Sequence, residues 1–113
     1  MKAAVLPNLD KRGAYDVVLK LGEILKNEEI EAYLPEGMIF AGFKQLPEDE
    51  LYGIADIIIT IGGDGTIIRY AKRAARDKLP GLVIYAGRMG YLANIEQIEL
   101  GLLGKLKQYV YFV

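Results

Sequence analysis

Ile57-Ile58-Ile59-Thr60-Ile61-Gly62-Gly63-Asp64-Gly65-Thr66-Ile67-Ile68 is the stretch on which the fold turns. A β-branched run stops at glycines that surround one aspartate, and a pattern of helical period then begins. That succession predicts a buried strand, a tight loop and a crossover helix. Glycine adopts positive φ without a Cβ clash and lets a ligand approach the backbone, so Gly62, Gly63 and Gly65 can turn several N–H groups toward one point. Thr66 can cap the helix, whose free N–H groups and dipole favour a nearby anion by about 0.3–1 kcal/mol at an exposed site. The loop suits phosphate. Asp64 would repel a phosphate unless it is aimed at something else, such as a hydroxyl proton, a sugar hydroxyl or a metal ion. A phosphate cradle with a carboxylate inside it points to phosphoryl transfer to a hydroxyl. The plainer reading is a simple turn in which Asp64 helps cap the helix.

Working back from this stretch, Glu31-Ala32-Tyr33-Leu34 reads as a strand stopped by Pro35, and Lys2 to Leu6 as a first strand ending at Pro7. The turn after Pro7, Asn8 to Gly13, lacks the Gly-x-Gly-x-x-Gly of a dinucleotide-binding unit, and no lysine follows the later glycines as a P-loop requires. Ala14, Val17, Val18, Leu21, Ile24 and Leu25 recur at helical spacing and predict an amphipathic helix from about Ala14 to Asn27. Glu36 to Gly53 is mixed. Its apolar front, Met38 to Phe43, reads as a loop folded onto the core, with a flap or contact surface as the alternative, and Pro47 begins a short helix with carboxylates in its first turn.

Forward from the glycine loop, Ile67, Ile68, Ala71, Ala74 and Ala75 make an apolar helix face. Arg69, Lys72, Arg73 and Arg76 line the opposite one, as a solvated face or as an aid to phosphate binding. Pro80-Gly81 turns the chain into Leu82 to Ala86, a further strand, followed by Gly87-Arg88-Met89-Gly90-Tyr91-Leu92. Strands alternating with helices predict a three-layer α/β fold with a mostly parallel sheet of about four or five strands and binding loops at the strands' carboxyl ends. The two glycine-bearing loops then face one cleft, where Arg88 can meet phosphate and Tyr91 can stack on a nucleotide. A last helix starts at Asn94 or Glu96, and Tyr109 to Val113 suits a strand. That apolar terminal run needs a sheet, a second domain or another subunit to cover it, so a homo-oligomer, or association through this segment, is expected.

Composition limits the chemistry. At 113 residues and 52% hydrophobic content the chain is one small folded domain. Its net charge of −1 provides no global field for nucleic acid or an acidic membrane. Without cysteine or histidine there is no disulfide, thiolate or imidazole, so acid-base work falls to Asp, Glu, Lys or Tyr. The N-terminal apolar run is too short for a signal peptide, and no segment reaches the ~20 apolar residues of a membrane span, which makes the cytoplasm the expected location.

Gly62-Gly63-Asp64-Gly65-Thr66 after a β-branched strand, joined to Gly87-Arg88-Met89-Gly90-Tyr91-Leu92 after the next, resembles the amino-terminal domain of NAD kinases. Diacylglycerol and sphingosine kinases carry the first motif too, and phosphofructokinases something close; the second motif favours NAD kinase. The resemblance covers nearly the whole chain and implies ATP-dependent phosphorylation of the 2′-hydroxyl of the NAD adenosine ribose, giving NADP, with a divalent cation such as magnesium brought by ATP. It implies that Asp64 orients or deprotonates that hydroxyl, that Gly62, Gly63, Gly65 and Thr66 approach the dinucleotide, that Tyr91 and Leu92 line the nucleotide pocket, and that Arg88 contacts phosphate. Val83 and Tyr85 depart from the Gly and Asn common in the family. NAD kinases also place a β-rich second domain, with an Asn-Glu or Asn-Asp pair holding the adenosine, after this one. The chain is therefore expected to be an isolated or truncated amino-terminal domain, inactive alone. A lipid kinase-like domain and a non-catalytic nucleotide-binding module are the alternatives.

Overall fold

The computed structural model describes residues 1–86 and the backbone of 108–112. The β-branched and apolar runs form strands β1 (Lys2–Pro7), β2 (Glu31–Pro35), β4 (Ile57–Gly62) and β5 (Gly81–Tyr85), with β3 (Phe43–Leu46) and β6 (Gln108–Phe112) added at the edges. All pairings are parallel, and the six strands lie in the order β3-β2-β1-β4-β5-β6. The expected three-layer, mostly parallel α/β fold is what forms, with β3 emerging from the mixed stretch between Glu36 and Gly53. This is the strand order of doubly wound nucleotide-binding sheets, reached without their glycine fingerprint after β1.

Strands buried on both faces read as continuous apolar runs, and every residue of β4 is buried. Alternation along the strands divides the core in two. Ala3, Val5, Ala32, Leu34, Ile57, Ile59, Ile61, Leu82 and Ile84 face helix α1 (Ala14–Asn27), which buries Ala14, Val17, Val18, Leu21 and Leu25. Ala4, Leu6, Tyr33 and Ile58 face the opposite way, against Leu51, Tyr52 and Ala55 of α2 (Glu48–Ile54) and its end, and Tyr70 and Ala74 of α3 (Asp64–Arg76). Connections running toward β3 thus use one face and those running toward β6 the other, as right-handed crossovers require.

The link from β2 to β3 contains no helix. It runs down the flank of α1, with Phe40 buried in the core, Met38 packed against it, and the Phe40 ring 4.8 Å from that of Tyr15. The expectation of a loop folded onto the core is met here. The short helix begun by Pro47 is met by α2, whose first turn holds Glu48, Asp49 and Glu50. Among the described residues β6 pairs with β5, so the terminal run is taken up by the chain's own sheet. The expected last helix, from Asn94 or Glu96, lies outside the described residues.

The buried face of α3 differs from the expectation. Ile67, Tyr70 and Ala74 point inward, while Ile68 is 54% exposed and Ala75 is also exposed. Tyrosine supplies the middle of the stripe, which a count of aliphatic residues passes over. The basic stripe has a structural use: Arg69 pairs with Glu48 at 3.5 Å, and Arg73 with Asp49, fastening α3 to α2. Arg73 also lies 4.3 Å over the Tyr52 ring, and the Tyr70 hydroxyl donates to Glu48 Oε1 at 3.1 Å.

Candidate active site

The carboxyl ends of β1 and β4 are neighbours, and their chains leave toward opposite faces of the sheet, which is where doubly wound folds bind ligands. Two loops meet there. In the first, the Asn8 amide donates to the Ile61 carbonyl at 2.7 Å, tying the loop to β4. Asn8 Oδ1 accepts from the Asp10 amide at 3.1 Å, the Lys11 amide donates to the Asn8 carbonyl at 3.1 Å, and the Ala14 amide to the Lys11 carbonyl at 3.1 Å. Gly13, at φ 82°, supplies the left-handed residue that lets α1 begin directly after this turn.

The second loop is shorter. Gly62 ends β4, Gly63 is extended at φ −97° and ψ −172°, and α3 begins at Asp64. The glycines here do not use the positive φ expected of them: among the described residues that conformation in glycine occurs at Gly13, Gly37 and Gly42. Their value is close approach. A methyl group built on Gly62 would lie 3.0 Å from Thr66 Cβ and 3.2 Å from Asn8 Cβ, and one on Gly63 would lie 2.8 Å from Lys11 Cε and 3.1 Å from Lys11 Nζ. At Gly65 the same methyl group meets nothing within 4 Å, so this position opens onto free space.

Neither proposed cap forms. The first intrahelical bond runs from the Ile67 amide to the Gly63 carbonyl, 3.1 Å, so Gly63 is the cap residue and Thr66 falls in the first turn with no side-chain capping bond. The amides of Asp64, Gly65 and Thr66 precede that bond and are the orphan donors of the helix start. Asp64 is exposed, in the first turn, and among the described residues engages no hydrogen bond or ion pair. Its carboxylate is available to a ligand.

On the other side, the Ala86 amide donates to the Gly62 carbonyl at 3.0 Å, and Tyr85 pairs in register with Gly62. The end of β5 therefore lies against the glycine loop. Arg88, Tyr91 and Leu92 lie outside the described residues. Asn8 and Lys11 are residues at this edge that the sequence did not single out, because only the pairing of β1 with β4 brings them there. A groove of about 630 Å³ lies elsewhere, between α1 and the amino-terminal ends of β2 and β3, beside Leu19, Gly22, Ile30 and Phe43, and includes no residue of the glycine loop. Among the described residues no group of three or more acidic side chains gathers to hold a metal ion.

Asp64 thus stands exposed at the start of a crossover helix, next to Gly63, over which the Lys11 side chain lies. A family model described as the ATP-NAD kinase N-terminal domain matches residues 4–103. The chain belongs to this family. Aligned with an NAD kinase of Natranaerobius thermophilus it is 34% identical over 99 residues, covering 85% of this chain and 35% of the relative. The NAD kinase of Thermococcus sibiricus is 29% identical over 88% of this chain and 37% of its own length, and that of Caldicellulosiruptor saccharolyticus 33% over 83% and 32%. The chain spans about a third of the length of these NAD kinases. No described helix is long and apolar enough to cross a membrane.

Proposed function

We propose that this chain supplies the phosphoryl-transfer site of an NAD kinase, acting on the 2′-hydroxyl of the adenosine ribose of NAD with ATP as donor. The observation that carries the reading is Asp64, a carboxylate left exposed and, among the described residues, unpaired at the first turn of α3 in a chain of this family. In this role Asp64 accepts the hydroxyl proton as the ribose oxygen attacks the terminal phosphorus of ATP. The bond from that phosphorus to the bridging oxygen breaks, and ADP leaves with the electron pair. Gly65 leaves room for the nucleotide against the backbone, and the amides of Asp64, Gly65 and Thr66 face the developing charge. The divalent cation comes with the phosphates of ATP, as part of the substrate. Arg88, Tyr91 and Leu92 complete the nucleotide side of the cleft.

The chain spans about a third of the length of the NAD kinases it matches, and in this reading the 113 residues by themselves bind nucleotide without turning it over. NADP formation by the pure chain from ATP and NAD would overturn that assignment. The catalytic reading is tested on the chain completed with the rest of a related NAD kinase. Asp64→Asn is expected to lower NADP formation by about 10²–10⁴-fold, the usual worth of a positioned base, with ATP binding retained. Turnover that survives the substitution removes Asp64 from the chemistry.

A further inference from the structure

Lys11 lies in a turn that resembles no nucleotide-binding fingerprint, yet its side chain crosses the glycine loop. Its backbone is held on both sides, the amide by the Asn8 carbonyl and the carbonyl by the Ala14 amide, each at 3.1 Å. The turn as a whole is tied to β4 through Asn8 and Ile61. From that fixed base the side chain extends over Gly63, where a methyl group would stand 2.8 Å from Cε and 3.1 Å from Nζ. Gly63 is the residue before Asp64. Among the described residues the Lys11 ammonium has no carboxylate partner within ion-pairing distance. A cation held beside the positive end of a helix, with no anion among the described residues to balance it, is placed for an anion from outside.

We propose that Lys11 binds the terminal phosphate of the nucleoside triphosphate donor, and that Gly63 lacks a side chain so that the lysine can lie across it. The proposal rests on the kinase reading for its choice of phosphate. In a transfer to a hydroxyl held by Asp64, the phosphoryl group nearest that carboxylate is the one in transit, and a cation one residue away reaches its oxygens. Lys11 then offsets the repulsion between Asp64 and the incoming phosphate.

The test is titration of the chain with sodium tripolyphosphate, ATP and NAD, separately, by calorimetry. Lys11→Met is expected to weaken tripolyphosphate and ATP about tenfold, as loss of a charge-assisted contact does, while NAD, which carries no terminal phosphate, changes less than about twofold. Lys11→Arg should restore most of the binding, and Lys26→Met, which removes a charge from the far end of α1, should change nothing. Gly63→Ala should fold normally, because the flexible end of Lys11 swings aside, and should weaken tripolyphosphate to the same degree. The double variant should be no weaker than either single one. Tripolyphosphate binding unchanged in Lys11→Met, absent in the wild-type chain, or lost together with NAD binding overturns the proposal, as do additive losses in the double variant. If binding depends on Lys11 but the completed protein forms no NADP, the kinase reading falls and the phosphate-binding role stands. Asp64-dependent NADP formation with a dispensable Lys11 gives the reverse.

Discussion

A methyl group on Gly62 would press on Thr66 Cβ, in the first turn of α3, and on Asn8 Cβ, whose backbone is hydrogen-bonded to Ile61 of β4. One on Gly65 would meet open space, at a backbone φ outside the left-handed region. Gly62→Ala is therefore expected to cost about 1–3 kcal/mol of stability through overpacking. Gly65→Ala should gain a few tenths to about 1 kcal/mol, because alanine suits a helix better, and yet should weaken ATP binding by occupying the space the nucleotide needs. Urea unfolding paired with ATP titration checks both; a Gly65→Ala chain that binds ATP as well as the wild type would contradict the open-cradle account. The sequence made these residues conspicuous through composition alone. It did not show that the glycines serve proximity rather than unusual backbone angles, since that depends on Asn8, Lys11 and Thr66 arriving from elsewhere in the chain.

The α2–α3 contact is the element-scale feature with the clearest titration behaviour. Burial first, and then the neighbouring Glu48 carboxylate, push the Tyr52 hydroxyl up to about 12. Tyr70 moves in the same direction, again by burial before Glu48. An unfolded tyrosine titrates near ~10, so above that pH the unfolded chain loses its proton first while the folded one retains it. The stabilisation is therefore complete below about pH 10 and is lost as pH rises toward about 12. Tyr52→Phe should remove part of that decline, on the order of 1 kcal/mol between about pH 9 and about pH 11 after solvent screening, read as the difference between wild-type and variant urea midpoints at those two pH values. Equal declines in both proteins would show that Tyr52 is not the group responsible. At this scale the sequence was readable where period and punctuation agreed, as in α1, bounded at Ala14 and Asn27. It was less readable for β3, which has only Phe43-Lys44-Gln45-Leu46, two of them exposed, and no β-branched residue. Its visible signal was the bracketing by Gly42, at φ 84°, and Pro47. The arginine stripe was ambiguous for a different reason: a row of cations looks alike whether it meets solvent, phosphate or the acidic first turn of α2.

For the molecule as a whole, strand order places β1 and β4 in the middle of the sheet and β3 and β6 at its rims. Amide exchange should therefore be slowest in Ile57–Gly62 and in Val5 and Leu6, approaching the rate set by global unfolding, and fastest in Phe43–Leu46. Exchange in β4 as fast as in β3 would mean the sheet opens from its centre. The parallel, layered architecture was legible from alternating strands and helices, but the order in which the strands lie was not, because adjacency in a parallel sheet is decided by which faces the crossover helices cover. That order has a consequence for how such a domain can vary. The two connections that carry Lys11 and Asp64 spring from its innermost rails, so the placing of these two side chains shares the fate of the entire scaffold. Insertions, trimmings and new partners are best tolerated along the outer borders, where they leave the arrangement of charges at the axis untouched.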